Sequence, residues 1–532
     1  MVMPLNSPQP TFLLPPSGEI TESPEEVPAD GLCLSATGNL QLPPLIFGGA
    51  SFCNSYNNDS YLESLLPLRT VRTALRYGIT AFDTSAYYGP SEIVLGAALK
   101  SLESEFPRSS YKLMTKAGRY GIEREDFDYS PATIRKSVER SLSRLHTSYL
   151  DVVYLHDVEF VADEVMPRRE GDHRPALDTE AALYGLAPGQ EAKVWGEGDQ
   201  RVLNAYAELQ KLQSEGVIKH IGITGFPLPT LLRLALLILH TPPYKPIDII
   251  LSYSHSNLQN PSFASFAPIL RSRAHVSQLV AASPLNMGLL TPRPPVWHPA
   301  PEALREAVRR AVGVVAGAKA LVEGGKEYGN GVEQEHGKGG GGGWEGGLPD
   351  VALGYAMREG ALFGHGHGKD DRSSSSSGGK SLDNGGGGSG NNGDEDGKQV
   401  INGDRVVDGN GSGIGNENLA QVQTQVETQT QTQTETTRAT TNTSTNTGTT
   451  GREIPCVVGL SSPAEVHAAV KAWRAVQLLN PSELAKRQEI EKRVVGIFEE
   501  SGYLGWSWAS PSSAPALAPA LAPGSGSGST HN

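Results

Sequence analysis

Short apolar runs alternate with longer amphipathic segments along most of the chain. Eight of these runs are almost wholly apolar, which is typical of strands buried on both faces of a parallel sheet. They are Leu45–Gly48, Ile79–Phe82, Tyr111–Thr115, Leu150–Leu155, Ile218–Thr224, Ile247–Ser252, Val276–Ala282 and Ile454–Gly459. A separate pair of short alternating runs around Thr37-Gly38-Asn39 predicts a hairpin over Leu32–Leu42.

The segments between the apolar runs carry helix signals. Gly78 closes one helical pattern, and Ser130-Pro131 opens another. The predicted helices are Leu65–Tyr77, Ser91–Leu102, Pro131–Leu145, Val202–Ser214, Pro229–His240, Phe263–Ser272, Pro301–Leu321, Leu348–Arg358 and Pro463–Trp473. Eight strands that alternate with helices predict an α/β fold, a (β/α)8 TIM barrel rather than an open sheet.

Composition limits how much of the 532-residue chain can fold. The stretch from Gly324 to Arg452 is dominated by Gly, Ser, Asn, Gln and Thr, and such tracts bury too little apolar surface to offset their ordering entropy. We therefore expect one barrel over 31–323 and 453–508, which includes helix 348–358, with low-complexity insertions at 324–347 and 360–452 and disordered ends at 1–30 and 509–532.

Two insertions have open roles. Ala162–Gln200 follows the fourth strand, so it lies on the rim where a barrel carries its chemistry and is interpreted as a lid or a specificity loop. The tract 360–452 is a regulatory tether or a tolerated expansion of a surface loop, and the second is favoured because long loops add little closure entropy.

Charge and cysteine content narrow the partners. The net charge is −13 with scattered basic residues, which disfavours nucleic acid. Three cysteines without metal-type spacing indicate a reducing compartment. No run approaches the roughly 20 apolar residues of a membrane span, and Met1–Leu14 lacks the pattern of a signal peptide. We expect a cytoplasmic monomer or weak homo-oligomer that acts on a small molecule, with no membrane and no metal.

Four side chains with catalytic potential lie at the ends of three predicted strands. Asp83, Lys116 and His156 follow strands two, three and four, and Tyr88 lies in the loop after strand two. Asp83 and Tyr88 taken alone also fit a buried Asp that caps its own loop beside a packing Tyr. Because strand ends meet on one rim of a barrel, the four together favour a catalytic role.

These four residues suit proton transfer. A free phenol has a pKa of about 10, and an adjacent ammonium held by a carboxylate would favour its ionised form. The relay Asp83–Lys116–Tyr88 supplies those groups, and neutral His156 could orient a substrate oxygen. This chemistry fits a carbonyl or carbinol oxygen that exchanges a proton while hydride moves to or from a nicotinamide.

Several motifs resemble the aldo-keto reductase superfamily. They are FDTSAYYGPSEIVLG, LMTKAG, LDVVYLHDVEF, IGITGF, SPLNMGLLT and VVGLSSPAEV. The resemblance implies a (β/α)8 barrel, NAD(P)(H), and a catalytic tetrad of Asp83, Tyr88, Lys116 and His156. The stretch SPLNMGLLT with PPVWHPAP resembles the branch of D-arabinose and L-galactose dehydrogenases, which implies NAD-dependent oxidation of an anomeric carbon to the lactone.

The resemblance also implies a cofactor site, with some departures from the common pattern. The implied contacts are Thr224, Gly225, Ser283, Leu285, Met287, Gly288, Gly459, Ser461 and Glu465. Thr224-Gly225 replaces a common Ser-Asn pair, Leu251 replaces a Gln, and Ala282 replaces an aromatic residue that stacks on the nicotinamide.

Glu465 bears on the choice of cofactor. Relatives that prefer NADP carry Arg or Lys at this place in the final helix, and a carboxylate there would repel a 2′-phosphate but accept hydrogen bonds from a ribose diol. Glu465 therefore favours NAD over NADP, although an ordinary first-turn Glu stabilised by the helix dipole also fits. Two other functions stay open: an NADPH-dependent aldehyde or ketone reductase, and a cofactor-binding regulatory subunit such as those of potassium channels.

Overall fold

The computed structural model describes residues 11–12, 14–36, 38–317, 344, 346–358 and 454–511. The chain divides into two units, residues 1–366 with 450–532 and residues 367–449. The second unit lies outside the described residues, as do the predicted insertion 360–452, almost all of the insertion 324–347, and the predicted tail beyond residue 511. No helix among the described residues is long and apolar enough to cross a membrane.

Eight parallel strands close into a barrel, which confirms the predicted fold. In hydrogen-bonded order they are β1 (Leu45–Gly48), β2 (Ala81–Asp83), β3 (Lys112–Ala117), β4 (Leu150–Leu155), β6 (Ile218–Gly225), β7 (Ile249–Tyr253), β8 (Gln278–Ala282) and β9 (Cys456–Gly459). Two further strands, β5 (Gly171–Asp172) and β10 (Trp506–Ser507), form a separate antiparallel pair.

Helices lie between the strands. They are α1 (Asp59–Leu62), α2 (Leu66–Tyr77), α3 (Ser91–Ser101), α4 (Pro131–Arg144), α5 (Glu197–Ser214), α6 (Leu228–Leu239), α7 (Phe263–Ser272), α8 (Glu302–Val315), α9 (Gly347–Met357), α10 (Pro463–Gln477) and α11 (Pro481–Glu500). Gly78 ends α2 in the left-handed conformation, with φ 89°, where the absence of a Cβ removes the steric penalty.

The strands are apolar on both faces because each face is buried. Ile46 and Val152 belong to the cluster that fills the barrel interior. Their neighbours Phe47 and Val153 belong to the larger cluster that also contains the helix side chains. This alternation follows from the two-residue period of a strand. The same period decides whether a polar side chain at the carboxyl end of a strand faces the barrel mouth or the surrounding helices.

The structure differs from the sequence-based predictions at a hairpin and at a helix. Residues 38–41 form a turn, but no extended strand flanks it among the described residues 32–36 and 42–44, so the hairpin over Leu32–Leu42 is wrong. The sequence patterns above do not predict helix α11, although Asn480 and Glu483 form a reciprocal capping box at its start. Its apolar residues, such as Val494 and Phe498, pack against α8 and α9 in a cluster of their own.

Part of the segment 1–30, for which composition predicts disorder, packs against α2. Glu26 is fully buried and accepts a hydrogen bond from Arg72 Nε at 2.7 Å. Arg69 pairs with the other carboxylate oxygen of Glu26 at 2.9 Å. One carboxylate therefore ties this segment to two successive turns of α2.

Removal of this carboxylate should destabilise the protein strongly. Glu26→Ala leaves Arg72 buried without its partner, which typically costs about 3–5 kcal/mol. We expect urea unfolding to report a loss of that order. The control Glu103→Ala removes an exposed ion pair with Lys100 and should cost less than about 1 kcal/mol. Equal, small losses for both variants would contradict the account.

Candidate active site

The barrel brings the four predicted catalytic residues to one rim. Asp83 is the last residue of β2, Lys116 lies at the end of β3, and His156 follows β4 directly. Tyr88 lies in the loop between β2 and α3. Parallel strands β2, β3 and β4 are neighbours, so their carboxyl ends place these side chains side by side.

Asp83 and Lys116 form a buried ion pair. Lys116 Nζ lies 2.5 Å from Asp83 Oδ1 and donates to the carbonyl oxygen of Thr84 at 3.0 Å. Burial would lower the pKa of Lys116, but the charge of Asp83 and the phenol of Tyr88 outweigh it and raise that pKa. The lysine therefore remains an ammonium group in a site where 2% of its surface is exposed.

Tyr88 lies against this ammonium. Lys116 Nζ is 4.8 Å from the centroid of the Tyr88 ring. Burial raises the pKa of Tyr88 to about 12, although Lys116 acts in the opposite direction. Lys116 favours the ionised phenol, as expected, but in the protein alone the loss of hydration outweighs this effect on the Tyr88 pKa. Tyr88 holds its proton at neutral pH.

His156 is a neutral imidazole beside Tyr88. Burial, with the positive charges of Lys116 and Arg119, holds the pKa of His156 well below its usual range. Its Nδ1 lies 3.0 Å from Ser85 Oγ, and its ring meets that of Tyr88 edge-on at 5.7 Å. The hydroxyl of Ser85 thus engages one ring nitrogen, while Nε2 lies on the side of Asp157, 3.7 Å from Oδ2.

Two charged residues beside His156 were not identified from the sequence. Arg119 lies in the loop after β3 and forms an ion pair with Asp157, which follows His156 in a left-handed conformation with φ 51°. The Arg119 guanidinium stacks on the Tyr87 ring at 3.8 Å. Each lies close in the sequence to a predicted catalytic residue, Lys116 or His156, which could have indicated a place on the rim. Their pairing could not be predicted, because the two residues are 38 positions apart in the chain.

The proposed cofactor residues lie on the same rim in three groups. Thr224 and Gly225 end β6, and a loop after β8 carries Ser283, Leu285, Met287 and Gly288. Ser283, Met287 and Gly288 have positive φ in that loop. The third group, Gly459, Ser461 and Glu465, extends from the end of β9 into the first turn of α10.

The third group lies at a helix start that favours an anion, and the carboxylate of Glu465 already lies there. Nothing lies within 4 Å of the position that a Cβ would take on Gly459, so the backbone at this residue borders open space. Helix α10 starts four residues later at Pro463, and its N-terminal N–H groups and dipole favour an anion. Glu465 already accepts hydrogen bonds from the backbone N and the Oγ of Ser461, at 2.6 and 2.9 Å.

A C-terminal segment covers part of the rim. Trp508 stacks on Phe226 with ring centroids 4.0 Å apart, and Ser510 Oγ donates to Glu159 Oε1 at 2.9 Å. The same oxygen accepts from the backbone N of Phe226 at 3.0 Å. Glu159 therefore joins three parts of the chain: the loop after β4, the end of β6 and the C-terminal segment.

Several other residues near the rim have structural contacts. His255 lies between Ser252 Oγ and Ser507 Oγ, each 3.1 Å away, and so helps to hold the C-terminal segment. His298 Nδ1 accepts from the Ala300 backbone at 3.0 Å. The insertion Ala162–Gln200 is anchored at its end by a buried ion pair between Asp199 and Arg233.

The carboxyl group of Glu159 should make stability depend on pH. Burial, assisted by the nearby charge of Asp157, raises its pKa from 4.5 to about 8. As pH rises through this interval the unfolded chain loses the proton first, so the folded state is progressively disfavoured, by at most about 1.4 kcal/mol per pH unit.

Glu159→Gln mimics the protonated group and should remove this contribution. We expect the variant to gain stability relative to the wild type as pH rises from about 5 to about 8, measured by chemical denaturation at each pH. Glu164→Gln, which changes a more exposed carboxylate paired with Arg169, is the control and should follow the wild type. A constant difference between Glu159→Gln and wild type would contradict the account.

The chain is similar to several curated sugar dehydrogenases. It is 37% identical over 270 residues to D-arabinose 1-dehydrogenase of Saccharomyces cerevisiae, a match that covers 50% of this chain and 69% of that protein. It is 38% identical over 246 residues to L-galactose dehydrogenase of Arabidopsis thaliana, covering 46% of this chain and 63% of that protein. It is also 27% identical over 285 residues to D-threo-aldose 1-dehydrogenase of a Pseudomonas species, covering 49% and 71%.

The family assignment rests on a longer stretch of the chain. The sequence model of the aldo/keto reductase family matches residues 44–323, which is more than half of the 532 residues. This range contains the first seven barrel strands and all four residues of the predicted tetrad. The chain belongs to the aldo/keto reductase family.

Proposed function

We propose that this protein is an NAD-dependent aldose 1-dehydrogenase that oxidises the anomeric carbon of a sugar of the D-arabinose or L-galactose type to the lactone. The observation that carries the proposal is the contact of Tyr88 with a buried Lys116–Asp83 ion pair, beside neutral His156. The similarity to a D-arabinose 1-dehydrogenase at 37% identity and to an L-galactose dehydrogenase at 38% identity supports the substrate class.

In this mechanism Tyr88 exchanges the proton of the anomeric hydroxyl. Lys116 stays charged because Asp83 holds it, and its positive charge stabilises the phenolate that forms when Tyr88 passes its own proton to solvent. His156, which is neutral, can hydrogen-bond to the same substrate oxygen without adding a charge to the site. These groups orient the oxygen and move its proton.

The cofactor would be held by the three groups on the rim: the end of β6, the loop after β8 and the start of α10. The nicotinamide, when bound, supplies the acceptor for the hydride that leaves the anomeric carbon. Glu465 supports NAD as the preferred cofactor. Its carboxylate already accepts hydrogen bonds from the backbone N and the hydroxyl of Ser461 at the start of α10, and its charge would repel the 2′-phosphate of NADP.

Reduction of an aldehyde or ketone with NADPH is a second candidate, and one observation favours it. Burial raises the pKa of Tyr88 to about 12, so the free protein carries a protonated phenol, which is the form that donates to a carbonyl oxygen. Oxidation needs the opposite form. If oxidation is the physiological direction, its rate should rise with pH well into the alkaline range.

Replacement of Tyr88 tests the proton-transfer role. Tyr88→Phe keeps the ring against Lys116 but removes the hydroxyl, so kcat should fall about 10²–10⁴-fold. Binding of NAD⁺, measured by the quenching of protein fluorescence, should be retained. The matched control is Tyr87→Phe, which leaves the ring under Arg119 in place and should keep most of the activity. Full activity in Tyr88→Phe would refute the assignment.

Cofactor preference tests the interpretation of Glu465. With D-arabinose or L-galactose, the absorbance of reduced nicotinamide should appear faster with NAD⁺ than with NADP⁺. Glu465→Gln removes the charge and should improve kcat/KM for NADP⁺ roughly tenfold while the value for NAD⁺ changes less. A wild-type preference for NADP⁺ would contradict the NAD assignment, and turnover of aldehydes with NADPH but of no sugar would favour the reductase.

A further inference from the structure

Arg119 and Asp157 form a charged pair that the proton transfer does not use. The Arg119 side chain is 15% exposed and that of Asp157 is 4% exposed, and they are joined through Nη1 and Oδ2. Asp157 Oδ2 also lies 3.7 Å from Nε2 of His156. The pair thus adjoins the face of the catalytic imidazole that Ser85 leaves available.

This pair leaves hydrogen-bonding capacity unused. Arg119 Nε donates to the carbonyl of Gly121 at 3.0 Å and Nη1 donates to Asp157. Within the described part of the chain, no group forms a hydrogen bond with Arg119 Nη2 or with Asp157 Oδ1. Neither of these atoms is fully buried, so a bound molecule can reach them. One strong donor and one strong acceptor therefore remain free in the same ion pair.

A second ion pair, at the opposite ends of β3 and β4, shows the contrast. Asp151, near the start of β4, pairs with Arg108. Its two oxygens also accept from the Leu113 backbone and from Lys219, both at 3.0 Å. Arg108 in turn donates to the carbonyl oxygens of Tyr111 and Tyr149. That pair, at the stability end of the barrel, is saturated, whereas the pair on the catalytic rim is not.

An ion pair with a free guanidinium N–H and a free carboxylate oxygen suits a hydroxyl group, which donates and accepts at once. His156 orients the anomeric oxygen in the proposed reaction. Of the two other heavy atoms bonded to the anomeric carbon, the ring oxygen can only accept a hydrogen bond, whereas the second carbon carries a hydroxyl that both donates and accepts. Tyr87 reinforces the arrangement, since its ring contacts both the Arg119 guanidinium and His156, at 3.8 and 5.8 Å.

We infer that Arg119 and Asp157 bind the hydroxyl on the carbon next to the anomeric carbon, and so select aldoses over 2-deoxy sugars and simple aldehydes. This inference rests on the proposed function and specifies which part of the sugar the protein recognises. The competing interpretation is that the pair acts only through the charge and packing of His156. That role would change kcat for every substrate alike.

The test compares two sugars that differ at one position. D-Arabinose and 2-deoxy-D-ribose, which is D-arabinose without its 2-hydroxyl, are assayed at saturating cofactor; L-galactose and 2-deoxy-L-galactose form the parallel pair. The wild type should prefer the full sugar by about 100-fold or more in kcat/KM, because a site built for a hydroxyl rejects an analogue that lacks it. The electron-withdrawing 2-hydroxyl does not itself favour hydride loss, so reactivity alone gives no such preference.

Asp157→Asn should narrow this preference at least tenfold, since a neutral amide replaces the charged acceptor. Asn is among the residues that best tolerate the left-handed backbone at this position. Arg119→Lys, which keeps the charge but loses the planar fork, provides a second variant should the first fold poorly. Asp151→Asn is the matched control, because it weakens the saturated pair and should leave the ratio of the two sugars unchanged.

Two outcomes overturn the inference while the proposed function stands. The first is a wild type that oxidises both sugars equally well. The second is an Asp157→Asn variant that loses activity on both sugars in the same proportion, as a purely structural role would produce. If the wild type oxidises no sugar with NAD⁺ or NADP⁺, the proposed function itself fails and the inference fails with it.

Discussion

The ion pair between Asp83 and Lys116 is the interaction on which the site depends. It joins the ends of two neighbouring strands inside the barrel mouth, with 5% and 2% of the side chains exposed. Loss of one partner would leave a buried charge uncompensated, at a typical cost of about 3–5 kcal/mol. Such a pair persists because barrel closure fixes both strand ends, and it gives Tyr88 and His156 an ammonium group at a fixed place.

Burial has opposite consequences for the groups around this pair. It raises the pKa of Tyr88 to about 12 and lowers that of His156 well below its usual range. Both residues are therefore neutral in the free protein, and Lys116 supplies the positive charge that they face. The proposed oxidation requires Tyr88 to give up its proton, so the ammonium acts on the phenolate that forms rather than on the resting phenol.

The sequence predicts the barrel and its catalytic rim because both arise from local patterns. Each strand is an apolar run, and Asp83, Lys116 and His156 each follow one directly. Contacts between distant segments are not encoded in such patterns. The closure of the rim by Trp508 on Phe226 is one example, and the three-way junction at Glu159 is another. The sequence predicts that Lys116 favours the ionised form of Tyr88, but not the larger opposing effect of burial, which depends on how completely the folded chain excludes water.

In the proposed reaction a sugar loses hydride from its anomeric carbon while Tyr88 takes up the proton of the anomeric hydroxyl. The most direct measurement uses D-arabinose or L-galactose carrying deuterium at C1 and follows the label by NMR after turnover. The deuterium should be found in the reduced nicotinamide, with the lactone as the other product. Deuterium released into water would mean that C1 loses a proton rather than a hydride, and would contradict the account.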